Sequence, residues 1–199
     1  MTPFTVLHVC VGNICRSPMA ERLLRHALRE RVGSKVDDLY VSHGAGTGGW
    51  HVGEPMNPPA ARLLRSRGVD HAGFAARQLN GELVDASDLI LCATSEQVVA
   101  VLTLRPEAAA RTFVLGEFGR LLPLVSLDAL PSDPYDRGVA LVEAVDAARS
   151  TEDGRDPSRR SDDLDDPWGL ADREFARVAD EIERTVVPLA AALTPKSHR

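Results

Sequence analysis

The strongest constraint in this chain is a cysteine placed where a strand must give way to a helix. Phe4 to Val9 is a short apolar run of strand formers that leads directly into Cys10-Val11-Gly12-Asn13. Ser17-Pro18 then opens a segment with apolar residues at Met19, Leu23, Leu24, Ala27 and Leu28, which is helical spacing. Ser17 suits an N-cap, Pro18 the first helical turn, and Glu21 the positive end of the helix dipole. Strand, glycine-bearing loop and capped helix make the first half of a βαβ unit. The pattern recurs. Leu39 to Ser42 reads as a second strand, Pro58 to Arg67 as a helix stopped by Gly68, and Asp88 to Cys92 as a buried parallel strand. A helix from Ser95 to Leu104, a short strand over Thr112 to Leu115, and a long amphipathic helix from Leu170 to Leu193 follow.

Alternating strands and helices predict an α/β fold: a single three-layer domain over residues 1–199, with an open four-stranded parallel sheet and helices on both faces. Ligands in such folds sit at the carboxyl ends of strands, and Cys10 ends the first. The segment 131–163 fits the repeat less smoothly. Gly138 to Arg149 is a candidate helix, but Ser150 to Asp163 is polar, charged and almost without apolar residues. We expect an acidic, partly flexible surface insert over 131–163.

The chain has 199 residues, 44% of them hydrophobic, and a formal charge of −6. That suffices for one well-buried domain and opposes sequence-independent binding to nucleic acid, which needs a basic face. No apolar run approaches the roughly 18 residues of a membrane span. The N-terminus reads as a strand rather than a signal peptide. Three cysteines are too few, and odd in number, for a disulfide scaffold, so a cytoplasmic location is expected.

The spacing Cys10, five residues, Arg16 is weak alone and strong in its context. A loop between a strand and a helix N-terminus can turn successive N–H groups of Val11, Gly12, Asn13, Ile14 and Cys15 inward, as a nest for a phosphate dianion. Arg16 can offer a bidentate fork to two phosphoryl oxygens, and Ser17 can donate to the sulfur. Such surroundings favour a thiolate. Attack by that thiolate requires an acid for the leaving oxygen, and two Asp-Pro-aromatic triplets are present, Asp133-Pro134-Tyr135 and Asp166-Pro167-Trp168. The second stands just before the final helix and is the better candidate for general acid, then general base; the first reads as an ordinary turn. No metal or cofactor is required, since the nest and Arg16 supply the positive field. A zinc site from His8, Cys10 and Cys15 lacks a fourth ligand. Cys92 reads as buried packing. Trp50 reads as one wall of a slot for an aromatic ring, with packing as the alternative. His26, His51, His71 and His198 have no partner spacing that points to catalysis.

The run from Val9 to Glu21 resembles the signature loop of low-molecular-weight protein-tyrosine phosphatases of bacterial type. Asp166-Pro167-Trp168 resembles that family's second catalytic element, and Gly44 to Gly53 resembles its Ser-Ala-Gly-Thr segment and aromatic rim. Arg77-Gln78-Leu79 and Ala86 to Cys92 also match; together the similarity spans about 1–122 and 164–193. The resemblance implies a phosphocysteine intermediate on Cys10, with Arg16 clamping the phosphoryl group and Asp166 as general acid. It places Val11, Gly12, Asn13, Ile14, Cys15, Ser17, Trp50 and Trp168 around the substrate. It further implies a reversible Cys10–Cys15 disulfide, and as ligands a phosphorylated protein or small phosphomonoester, phosphate, vanadate or arsenate. Gly44 stands where relatives usually carry a serine that braces the loop asparagine, here Asn13; either Ser42 or His43 substitutes for it, or the loop is less rigid. Phe74 stands where relatives often carry histidine.

Three other functions are weighed. Arsenate reduction on this fold needs two further relay cysteines, whereas Cys92 stands alone, with Val98 and Val99 where a partner is expected. Phosphoarginine phosphatases tend to carry threonine at the position of Ile14; Ile14 favours phosphotyrosine, while Trp168-Gly169 leans the other way. A non-catalytic phosphate-binding module would have no use for Cys10 and Asp166 together.

Overall fold

The computed structural model of the protein describes residues 2–151 and 162–194. The four strands are β1 (Phe4–Cys10), β2 (Tyr40–Gly46), β3 (Leu89–Cys92) and β4 (Thr112–Val114). They form one sheet in the order β2-β1-β3-β4, and every neighbouring pair is parallel. The helices are α1 (Arg16–Val32), α2 (Val36–Leu39), α3 (Pro58–Ser66), α4 (Gly81–Asp85), α5 (Ser95–Leu104), α6 (Leu115–Leu121), α7 (Pro134–Ala148) and α8 (Asp172–Leu193).

Alternation along the strands assigns each side chain to a layer. Phe4, Val6, Leu89, Leu91 and Phe113 pack with Met19, Leu23 and Leu24 of α1, Leu141 and Val145 of α7, and Phe175, Val178, Ile182 and Val186 of α8. Leu7, Val9, Ala45, Ile90 and Cys92 face the other way, onto Val84 of α4 and Val101 of α5. Each large side chain fully buried in this way stabilises the fold by about 1.5–3 kcal/mol relative to exposure. The expected three-layer α/β architecture is therefore the observed one. After β1 the chain turns to one face, through α1, and after β3 to the other, through α5. That divergence opens a crevice beyond the carboxyl ends of the two adjacent strands. Cys10 ends one of them and Cys92 the other.

Three local expectations need correction. Strand β2 does not stop at Ser42 but runs on through Gly44-Ala45-Gly46, pairing Cys10 with Gly46. Glycine is a poor strand former, but backbone pairing with a buried central strand outweighs that preference. Ser17 is not the N-cap of α1: the helix starts at Arg16 with Cys15 in the cap position, and the Ser17 hydroxyl is used inside the loop. The helix expected over Gly138–Arg149 is longer, Pro134–Ala148, because Asp133 caps it by accepting from the N–H groups of Tyr135 and Asp136. Its face at Leu141, Val142 and Val145 is buried. Arg137 ties it down by donating to the carbonyls of Ala192 (2.6 Å) and Pro131 (3.0 Å). So 134–148 is part of the core and not of a surface insert. The rest of that segment between 152 and 161, like His198, lies outside the described residues. No helix among the described residues is long and apolar enough to cross a membrane.

Gly138 lies against the ring of Phe4, into which an added Cβ would be driven. Gly138→Ala is therefore expected to destabilise the fold by about 1–3 kcal/mol, read as a lowered urea midpoint at unchanged slope. Burial also holds two imidazoles neutral. The pKa of His8 is lowered to about 3, by burial and then by His43, and that of His43 to about 4, by burial and then by Arg77. The unfolded chain takes up these protons below about pH 6.5, whereas the folded chain resists down to about 4 and 3, so stability falls as pH drops below ~6.5. His43→Gln, which can keep the bond to Ser87 (3.1 Å), is expected to flatten the decline in urea midpoint between pH 7 and 5.

Candidate active site

The loop between β1 and α1 is held from outside. The N–H groups of Thr47, Gly48 and Asn57 donate to the carbonyls of Cys10 (3.0 Å), Val11 (2.9 Å) and Ile14 (2.9 Å). Asn13, fully buried, has φ +54°, the left-handed region that asparagine tolerates better than most residues. Its side chain fastens the turn at both ends: Oδ1 accepts from the Arg77 N–H (2.9 Å) and Nδ2 donates to Ser17 Oγ (2.8 Å).

Cys10 Sγ lies 3.0 Å from Ser17 Oγ and accepts from the Asn13 N–H at 3.3 Å. Because Ser17 Oγ already receives a hydrogen from Asn13, its own hydrogen is free for the sulfur or for the more distant Ala45 carbonyl (3.4 Å). Two hydrogen-bond donors thus converge on one sulfur. The other thiols sit differently. Burial, then the neighbouring Cys10, pushes the pKa of Cys15 up to about 12, and burial raises that of Cys92. All three are unbonded, and Cys92 is core packing, as its pattern predicts.

Arg16 is 4% exposed and reaches the loop that carries Asp166. Its NH1 donates to the Leu164 carbonyl (3.1 Å) and its NH2 to Asp166 Oδ2 (2.5 Å), while its buried Nε has no hydrogen-bond partner. The acid loop is pinned to the end of β3, where the Leu164 N–H donates to the Ala93 carbonyl (2.8 Å). Asp163 accepts from the N–H (2.8 Å) and hydroxyl (3.1 Å) of Ser95, at the start of α5. Asp166 Oδ1 accepts from the Trp168 N–H (3.1 Å), an Asx-turn that Pro167 stiffens.

These parts enclose a cavity of about 360 Å³ lined by Cys10, Val11, Gly12, Ile14, Cys15, Arg16, Trp50, His51, Asp166 and Trp168. Trp50 and Trp168, 68% and 64% exposed, form its rim; Trp50 is a wall, not core packing. Asn13 and Ser17 do not line the cavity but support it from behind. Asp133 is away from it, at the cap of α7. The residue that sequence reasoning missed is His51, whose Nδ1 lies 2.6 Å from Glu54 Oε2. The available signal was the His51-x-x-Glu54 spacing beside the aromatic rim.

The family model for low molecular weight phosphotyrosine protein phosphatase matches residues 5–149. The chain belongs to the low-molecular-weight protein-tyrosine-phosphatase family. It is 38% identical over 94 residues to the Bacillus subtilis low molecular weight protein-tyrosine-phosphatase YfkJ, covering 47% of this chain and 58% of that protein. It is 40% identical over 113 residues to the probable Ralstonia solanacearum phosphatase EpsP, covering 57% and 71% of the two chains. The crystal structure of Vibrio vulnificus Wzb in complex with benzylphosphonate superposes with a TM-score of 0.65 at 21% identity, covering 94% of this chain and 97% of that one, which shows the shared fold. The family match ends before Asp166, so the tertiary structure alone brings that residue to the phosphatase loop.

Where the chain departs from the expected family pattern, the geometry explains how the loop is kept. Neither Ser42 nor His43 replaces the missing serine, contrary to expectation. Ser42 donates to the Glu21 carbonyl (3.0 Å) and meets His8 (3.2 Å), and His43 is turned to Ser87. Ser17 and the Arg77 backbone brace Asn13 instead. A Cβ at residue 44 would lie 2.8 Å from Asn13 Nδ2 and 3.1 Å from the buried Glu21 Oε2, so glycine is what this arrangement admits. Phe74 lies under the Arg22 guanidinium, 5.9 Å from ring centre to Cζ.

Gly46 presses hardest on the loop. A Cβ there would stand 2.7 Å from the Val11 carbonyl oxygen and 2.9 Å from the Asn13 nitrogen. Gly46→Ala is expected to weaken inorganic phosphate binding by about tenfold or more, since backbone must shift; fluorescence titration of the rim tryptophans reads it.

Proposed function

We propose that the protein is a protein-tyrosine phosphatase acting through a phosphocysteine on Cys10. The observation that carries this reading is the convergence of the Cys10 sulfur, the Arg16 guanidinium and the Asp166 carboxyl on one cavity, from segments 150 residues apart in sequence.

With the carbonyls of Cys10, Val11 and Ile14 engaged from outside, the peptide N–H groups between them are the groups left to receive phosphoryl oxygens. As the phosphoryl group enters, the Arg16 fork exchanges the Asp166 carboxylate for two equatorial oxygens, and the released carboxylate, now beside the phosphoryl dianion, takes up a proton from solvent. The Cys10 thiolate attacks phosphorus, the bond to the ester oxygen breaks, and Asp166 protonates that oxygen as it leaves. Asp166, now a carboxylate, takes a proton from water as the water attacks the phosphocysteine. Phosphate departs, and the thiolate returns to the donors Ser17 and Asn13. The slot between Trp50 and Trp168, floored by Ile14, suits a flat aromatic ring. A phosphorylated protein of the cytoplasm is the matching substrate.

Asp166→Asn is expected to lower kcat for an aryl phosphate by about 10²–10⁴-fold, and Asp133→Ala to leave it unchanged. Cys10→Ser should abolish turnover while keeping vanadate affinity. Hydrolysis of phosphotyrosine peptides ahead of phosphoserine and phosphoarginine peptides supports the reading; preference for phosphoarginine, or binding without turnover by the wild type, overturns it.

A further inference from the structure

Capture of the substrate anion poses a problem in this structure. The strongest cation of the cavity, Arg16, is already paired with Asp166 at 2.5 Å, so an arriving dianion meets a neutralised pair. Another positive donor at the rim would remove that barrier.

His51 has the position for it. It lines the same cavity as Cys10 and Arg16, and its ring lies over the phosphate loop: a Cβ built on Gly12 would stand 2.9 Å from its Cδ2 and 3.7 Å from its Nε2. Its Nδ1 is engaged by Glu54 Oε2 at 2.6 Å, which sets the ring's orientation and assigns a proton to Nδ1. In the protonated ring, Nε2–H is then the second donor, on the edge that faces the loop. The side chain is 25% exposed, open enough to receive a ligand. Trp50 meets it edge-on with centroids 6.3 Å apart, which limits swinging toward solvent. The charged or titratable groups around it are Glu54 on its own turn, Cys10, Cys15 and Arg16 from the loop and α1, and Asp166 across the cavity.

We propose that His51, oriented by Glu54, is a specificity-determining residue of the phosphate site: its Nε2–H receives the incoming phosphoryl dianion while Arg16 is still held by Asp166. This rests on the phosphatase reading. The pair acts on capture and not on bond cleavage, because Cys10, Arg16 and Asp166 supply the groups for the chemical step. The nearby Gly12 is then required for a second reason, since a side chain there would displace the imidazole.

The test compares wild type, His51→Gln and Glu54→Gln with p-nitrophenyl phosphate as substrate and inorganic sulfate as competitive inhibitor, at about 20 mM and about 500 mM NaCl. His51→Gln is expected to raise KM and the sulfate inhibition constant together by about tenfold at low salt, the scale of one charge-assisted hydrogen bond, with kcat held within about twofold. Glu54→Gln should shift both constants the same way by about threefold. The gap from wild type should shrink at high salt, because an accessible charge is screened; a packing defect would not respond to salt. Unchanged KM and sulfate inhibition in His51→Gln overturn the proposal, as does a loss confined to kcat. If the wild type turns over no phosphomonoester, the phosphatase reading fails separately. Sulfate titration of Trp50 fluorescence then still decides His51: equal affinity in wild type and variant overturns its role, and a tenfold loss upholds it.

Discussion

The buried side chain of Asn13 is the fastening on which the site depends. Left-handed backbone at a residue with a Cβ costs about 1–2 kcal/mol, and here that cost is met by two hydrogen bonds of the Asn13 side chain, each worth roughly 0.5–1.5 kcal/mol net. One goes to the Arg77 backbone and the other to Ser17. Because Ser17 in turn meets the Cys10 sulfur, the same amide that bends the loop also sets the hydroxyl facing the nucleophile. Backbone shape and thiol environment are therefore a single arrangement. The Gly44 backbone comes close enough to Asn13 that a side chain there would meet its amide.

A second dependence joins two distant parts of the chain. The acid loop would have no defined height over Cys10 without the Leu164–Ala93 backbone bond and the Asp163 carboxylate at the start of α5. Both anchors lie just past the carboxyl end of β3, adjacent to β1 in the sheet. Strand order thus sets the distance between Cys10 and Asp166. The Arg16–Asp166 pair then couples the two: in the proposed reaction, the guanidinium that grips the phosphoryl group is the one that steadies the carboxyl beforehand. Half of that carboxyl is open to solvent, at 48% exposure, so the pair can be exchanged for a phosphoryl group without a deeply buried charge being stranded.

Much of this was legible in the residues. The helical spacing after Pro18, the apolar run at Asp88–Cys92 and the long stripe from Phe175 to Leu193 each reflect burial against one layer, and each produced the element expected. Errors arose where a local signal met a stronger non-local one. Ser17 has the preferences of a cap but serves a sulfur seven residues before it. Gly44-Ala45-Gly46 has the composition of a loop but is strand, because β1 lies alongside. The segment 131–163 reads as an acidic surface insert, yet Leu141, Val142 and Val145 close the core with Phe4 and α8.

The sequence by itself determined the chemistry on offer: a cysteine at a strand end, an arginine six residues on, an Asp-Pro turn before the last helix, and the layered fold that periodicity imposes. These are properties of neighbours along the chain, where spacing and residue type suffice. Tertiary structure decided which of two Asp-Pro turns reaches the sulfur, that Asn13 is braced by Arg77 and Ser17, and that His51 faces the phosphate loop. Such choices depend on strand order and on backbone contacts between segments far apart in sequence, and no local pattern encodes them.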